Sequence, residues 1–161
     1  MRFQEALHGR LRSFDLELHS EKTRLIEFGR FAVQRRAERG LGKPVTSNFL
    51  GFTHICAGTR EGKFLLMRRT MRERMRARLR EVNASLRRRQ HQPIPTQGGW
   101  LGAVVRGYFA YHAVPTNVQA LQAFRTQVER HCQQSLRRRG QRDRTNWTRM
   151  RRLSRRWLPE P

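Results

Sequence analysis

Residues 100–112, WLGAVVRGYFAYH, constrain the fold of this chain more than any other segment. They carry one formal charge, Arg106, in a protein whose 161 residues include 35 Lys and Arg. Trp100, Leu101, Val104, Val105, Tyr108 and Phe109 recur at helical spacing and make an apolar face too wide for a surface helix. A helix of this kind is buried on most sides, so the flanking segments must supply what buries it. Pro115 ends it, and Thr116 or Asn117 is placed to cap the next helix.

That next helix shows its inner side plainly. Val118, Leu121, Phe124, Val128, Cys132 and Leu136 fall on one stripe, and Arg137, Arg138 and Arg139 follow where a helix C-terminus favours cations. Upstream, Met71, Met75, Leu79, Val82 and Leu86 keep the same period, which predicts a helix of about five turns capped by Thr70. HQPIPTQGG (91–99) separates it from the neutral helix, which is expected to start near Trp100. A last helix over about 145–157 offers Trp147, Met150, Leu153 and Trp157 as its inner face, the two tryptophans as anchors.

The first part of the chain has a different texture. Residues 3–13 predict a short helix with Phe3, Leu7 and Leu11 on one side. DLELH (15–19) and TRLIEFG (23–29) alternate as two short strands would, and 30–47 reads as a loop or arm. NFLGFTHI (48–55) and KFLLM (63–67), joined by AGTREG, predict a β-hairpin. The expected fold class is therefore α+β: short strands and a hairpin in residues 1–69, then a basic, mainly helical module in 70–161.

Charge follows the same division. Residues 1–67 hold 12 basic and 7 acidic groups, whereas 68–161 hold 23 and 5. Only Lys22, Lys43 and Lys63 are lysines, and arginine's planar fork suits phosphate and stacks on bases. A formal charge of +23 exceeds what solubility asks for and points to a polyanionic partner met mainly by the second part. No apolar run approaches the roughly 18 residues of a membrane span, and the N-terminus lacks a signal-peptide pattern. A cytoplasmic protein with no membrane partner is expected.

Most catalytic chemistry is excluded. Two-metal nucleotidyl transfer needs clustered carboxylates, but the two aspartates, Asp15 and Asp143, are far apart in sequence. No P-loop, H-E-x-x-H or G-x-S-x-G pattern occurs. Glu17, Glu21 and Glu27 are explained more simply as strand-edge residues. Cys56, Cys132 and six histidines show no zinc spacing, so neither a metal nor any other cofactor is expected in this chain.

Four blocks then take the reading further. LELHSEKTRLIEFGRFA (16–32), GKPVTSNFLGFTHI (42–55), GKFLLMRRT (62–70) and QPIPTQGGWLGAVVRGYFAYHAVPTN (92–117) resemble, in this order, the C-terminal part of bacterial group II intron reverse transcriptase/maturases. The likeness continues through RRRGQRDRTNWTRM to WLPEP. It implies that residues 1–69 correspond to the end of the palm and 70–161 to the thumb and maturase-specific domain, which in that family grips intron RNA and helps it reach its splicing-competent fold. Glu21–Lys22–Thr23 is similar to the motif that follows the family's metal-binding turn. Phe49, Leu50, Gly51 and Phe52 are similar to the strand that supports the primer end, so Lys22 and these four are primer-side relics. The family's Tyr-x-Asp-Asp turn is absent, and with it any catalytic residue; Mg2+ is implied only for the intact enzyme.

The resemblance makes group II intron RNA the expected partner and target DNA a further one. The residues expected to bind are Arg69, Arg72, Arg76 and Arg80 along one helix ridge, Arg87, Arg88 and Arg89 at its end, Arg106, and Arg137, Arg138 and Arg139. Arg151, Arg152, Arg155 and Arg156 form another cluster. Tyr108, Tyr111 and His112 could stack on unpaired bases, with core packing as their alternative fate. Two other functions fit the sequence: the C-terminal half of a split polymerase that joins a separately encoded fingers–palm piece, and a non-specific basic nucleic-acid binder.

Overall fold

The computed structural model describes residues 2–19, 21, 23–140 and 146–161. Among them it is mixed α+β, with six helices and one three-stranded antiparallel sheet. The chain divides into two compact units, Met1–Val45 and Thr46–Pro161.

In the first unit, α1 (Arg2–Arg12) forms where the four-residue apolar spacing predicts it, with Leu7 and Leu11 half-buried. The strands expected at 15–19 and 23–29 are not formed among the described residues. An isolated two-stranded ribbon is marginal in water, and Leu16 and Leu25 are exposed rather than turned onto a common face. The expected arm at 30–47 instead contains α2 (Ala32–Glu38). Arg39 follows α2 and ties back to Arg35 O at 3.0 Å and to the Glu27 carboxylate.

The second unit begins with the sheet: β1 (Ser47–Phe49), β2 (Phe52–Gly58) and β3 (Phe64–Thr70), in that order. Residues 48–55, expected as one strand, are folded back on themselves, with Phe49 opposite Phe52. The two turn residues, Leu50 and Gly51, have φ of 47° and 78°, the left-handed pair that matches strand twist in a two-residue hairpin. The second hairpin is the expected one: Thr53 pairs with Arg69 and Gly58 with Phe64, around a turn closed by Thr59 N–H to Lys63 O at 2.8 Å.

Only Met71 separates β3 from α3 (Arg72–Arg88). Then follow α4 (Ile94–His112), α5 (Val118–Arg137) and α6 (Trp147–Trp157). The neutral helix α4 starts six residues before Trp100, because Pro93 at its N-cap and Pro95 in its first turn sit where no intrahelical N–H is needed. The neutral helix α4 is largely buried and packs on α5 and α6, but α5 rather than α4 is the hub, since α3, α4 and α6 all pack on it. Leu101 and Val105 of α4, Leu121, Phe124 and Val128 of α5 and Leu86 of α3 close the core. Trp157 lies over Gly98 so closely that a Cβ there would be 2.1 Å from the indole. Trp147, expected as a second anchor, is exposed.

The change of texture at 69/70 falls inside this unit rather than between units. Thr70 caps no helix, since Met71 is the N-cap of α3. Instead its N–H donates to Asn117 Oδ1 at 2.9 Å, and its hydroxyl accepts from Asn117 Nδ2 at 2.8 Å. The end of the sheet is thereby fastened to the α4–α5 junction.

Candidate nucleic-acid interface

Helix α3 buries Val82 and Leu86, with Met75 and Leu79 against the same core. That choice of inner face fixes the rest by the 3.6-residue period. Arg72, Arg76 and Arg80, one turn apart, and Arg87 further on are all exposed along one flank. Arg69, near the end of β3, is exposed at the ridge's start, and Arg88 is exposed at its other end. Arg89 differs: it is half-buried, its guanidinium 4.9 Å above the Trp100 ring and 3.2 Å from Gln92 Oε1. Arg89 therefore packs α3 against α4, where sequence periodicity placed it among the binding arginines.

A second basic face belongs to α6, where Arg149, Arg151, Arg152, Arg155 and Arg156 are exposed while Met150 and Ser154 point inward. No acidic residue interrupts that helix. Asn146 caps it, its Oδ1 accepting from Arg149 N–H at 2.9 Å. Arg137 and Arg138 are exposed at the end of α5, but Arg139 is half-buried, donating to Gln97 Oε1 at 2.8 Å. Arg106 is exposed on the outer side of α4.

The three rings expected to stack on bases part company. Tyr108 is buried, stacked on Phe124 at 3.6 Å between centroids and 11° between planes. Burial pushes its phenol above the ordinary value. His112 is buried too, its Nδ1 3.3 Å from Thr70 Oγ1, and burial lowers its pKa. Since Thr70 Oγ1 accepts from Asn117, its own proton is available to Nδ1, which fits a neutral imidazole. Both rings are mostly buried in the core, each with an edge in the wall of a cleft between α3 and α4. Tyr111 is different, being 55% exposed. Its ring stacks on Phe52 at 5.9 Å, and its hydroxyl donates to Leu50 O at 2.8 Å.

Of the hairpin residues, Phe49 and Leu50 are exposed and Gly51 is half-buried. Phe52 is buried against Tyr111 and His112. Lys22 lies outside the described residues. Tyr111, Tyr108 and His112 line this cleft of about 330 Å³ between α3 and α4 with Arg74, Arg78, Glu81 and Gly107. Arg78 pairs with Glu81 at 2.8 Å. Arg74 and Arg78 escaped the sequence reading because the i, i+4, i+8 rule picks out one flank of α3 and these lie on the other.

Two further titratable groups are shifted by burial, His131 and Cys132. Burial lowers the pKa of His131, opposed by a hydrogen bond with Gln134 and reinforced by the charge of Arg87. Burial pushes the Cys132 thiol up to about 11. Among the described residues no three His, Cys, Asp or Glu side chains gather as they would to hold a metal ion, and no helix is long and apolar enough to cross a membrane. No protein-family model, curated protein or solved structure matches the chain.

Proposed function

We propose that this protein binds structured RNA through the arginine-clad outer faces of α3 and α6, and that the RNA is a group II intron whose folding and splicing it assists. The observation that carries the RNA reading is the exposed ridge of Arg72, Arg76, Arg80 and Arg87, with Arg69 of β3 at its start, set on a helix whose other side is locked into the core. Phosphates are met by side chains on a rigid rod, so ordering them costs little beyond their own rotamers. The four ordered sequence blocks support the intron as the partner. In this reading β1–β3 are the end of a reverse-transcriptase palm and α3–α6 the thumb and maturase-specific region. The protein contributes binding and orientation and has no polymerase site of its own.

A salt-titrated binding series tests this, comparing a group II intron RNA, an unrelated structured RNA and duplex DNA of equal length. Affinity for all three is expected to fall steeply with salt. The intron RNA keeps a clear advantage at physiological ionic strength. Replacing Arg72, Arg76 and Arg80 together by Gln lowers the salt slope by about 2–3, near 0.7–0.9 per lost phosphate contact. Equal affinity for the three nucleic acids would overturn the intron assignment, and an unchanged slope in the triple variant would remove α3 from the interface.

A further inference from the structure

Helices α5 and α6 meet over a pocket of about 240 Å³ walled by Arg125, Glu129, Arg151, Ser154, Arg155 and Glu160. Arg125 organises it, with Nη1 3.2 Å from Glu129 Oε1 and Nη2 2.9 Å from Glu160 Oε1. Two donors in the wall nevertheless lack an acceptor: Arg125 Nε and Ser154 Oγ are both buried without a hydrogen-bond partner. Ser154 is 2% exposed. Buried donors without acceptors are costly and rare in folded proteins, and two in one pocket wall point to a missing acceptor. Arg151 and Arg155, one turn apart and exposed, add two cationic forks that have no carboxylate partner among the described residues.

We propose that this pocket is a phosphate-binding site and that Glu160 guards it. A tetrahedral phosphate brings several acceptor oxygens, enough to meet Arg125 Nε and Ser154 Oγ while presenting others to Arg151 and Arg155. A carboxylate is planar and satisfies one edge of Arg125 only. The Glu160 side chain is 76% exposed, so it leaves the guanidinium readily, whereas that of Glu129 is 15% exposed and stays. Glu129 is the one fixed negative charge in the wall, and it is offset by Arg125 itself. The phosphate displaces Glu160 and takes its place on Arg125, so Glu160 acts as a built-in competitor that sets the affinity.

The full chain, S154A and E160Q are titrated with inorganic phosphate against chloride at matched ionic strength, by calorimetry. The same three proteins are then titrated with structured RNA, an arm that rests on the RNA reading above. E160Q is expected to bind phosphate at least threefold more tightly, and S154A at least threefold more weakly. S154A should melt no lower than the parent, since it removes a buried donor that has no acceptor. Equal phosphate affinity in all three proteins, or no saturable binding by E160Q, overturns the site. Tighter phosphate and RNA binding by E160Q assigns the site to the RNA backbone; tighter phosphate binding alone assigns it to a free phosphate. Failure of every protein to bind RNA would sink the RNA reading while leaving the phosphate result to stand or fall by itself.

Discussion

Asn117 is the residue whose loss should cost the fold most for its size. It is buried at the N-terminus of α5, yet its side chain does not cap that helix. It accepts from Thr70 N–H at 2.9 Å and donates to Thr70 Oγ1 at 2.8 Å and to His112 O at 2.9 Å. Asn117→Ala leaves the buried Thr70 amide without its acceptor, whereas the His112 carbonyl keeps the Val114 N–H at 2.8 Å. At about 1–3 kcal/mol for the orphaned amide and about 0.5–1.5 kcal/mol for each of the two other lost bonds, the loss is about 2–6 kcal/mol, a large share of the ~5–15 kcal/mol typical of a domain. Asn117→Asp keeps the acceptor for Thr70 N–H but turns a carboxylate toward the His112 carbonyl. Urea unfolding followed by circular dichroism reads the equilibrium change, and hydrogen exchange at the Thr70 amide reads it locally. In a double-mutant cycle, Thr70→Val and Asn117→Ala should together cost at least about 1 kcal/mol less than their sum. An Asn117→Ala protein within about 1 kcal/mol of the parent, with the Thr70 amide still protected, would refute the clamp.

Gly98→Ala should destabilise by about 1–3 kcal/mol and red-shift the tryptophan emission, because its Cβ would enter the Trp157 ring. Gly99→Ala meets nothing within 4 Å and should be neutral or stabilising by up to about 1 kcal/mol. Indistinguishable melting curves for the two would show that α6 does not dock there. The lowered pKa values of His112 and His131 mean that the unfolded chain takes up protons first. Their contribution is full above about pH 6.5 and declines as pH falls toward the folded values, at no more than about 1.4 kcal/mol per pH unit each. Thermal melts from pH 7.5 to 5.5 should show this slope, and His131→Gln should flatten it. With its thiol pushed up to about 11 and buried, Cys132 should resist a thiol reagent at pH 8 in the native protein and react fully in urea. Rapid native labelling at Cys132, located by mass spectrometry, would contradict its place in the core.

The helices were legible wherever burial imposes a period. The stripe from Leu121 to Leu136 on α5 is buried as its spacing requires, and only Val118, at the first turn, is exposed. Strand alternation misled at 15–29 because alternation records a half-buried face only when a second layer covers it. The Leu50–Gly51 turn was hidden because a leucine at φ 47° breaks the usual Asn-Gly or Gly-rich signal for such hairpins. In the candidate site, exposed arginines followed from helix phase, whereas Arg89 and Arg139 were drawn inward by Trp100 and Gln97, partners from another helix that no local pattern reveals. The same holds for Tyr108 and His112: their helical spacing allowed either exposure or burial, and Phe124 and Thr70 decided it.

The fastening between β3 and the α4–α5 junction also shapes how the chain reaches its folded state. Asn117 reaches back 47 residues to Thr70, Thr116 reaches 48 to Arg68 and Tyr111 reaches 61 to Leu50. Helices can form on their own local contacts, but these links close long loops and recover that entropy only when all three segments are in place. The hairpins should therefore lock last, after α4 and α5 have paired. During synthesis the sheet leaves the ribosome before α4 and α5 and waits, its strands unpaired with their anchor, until the neutral helix and the two residues after Pro115 arrive to hold it.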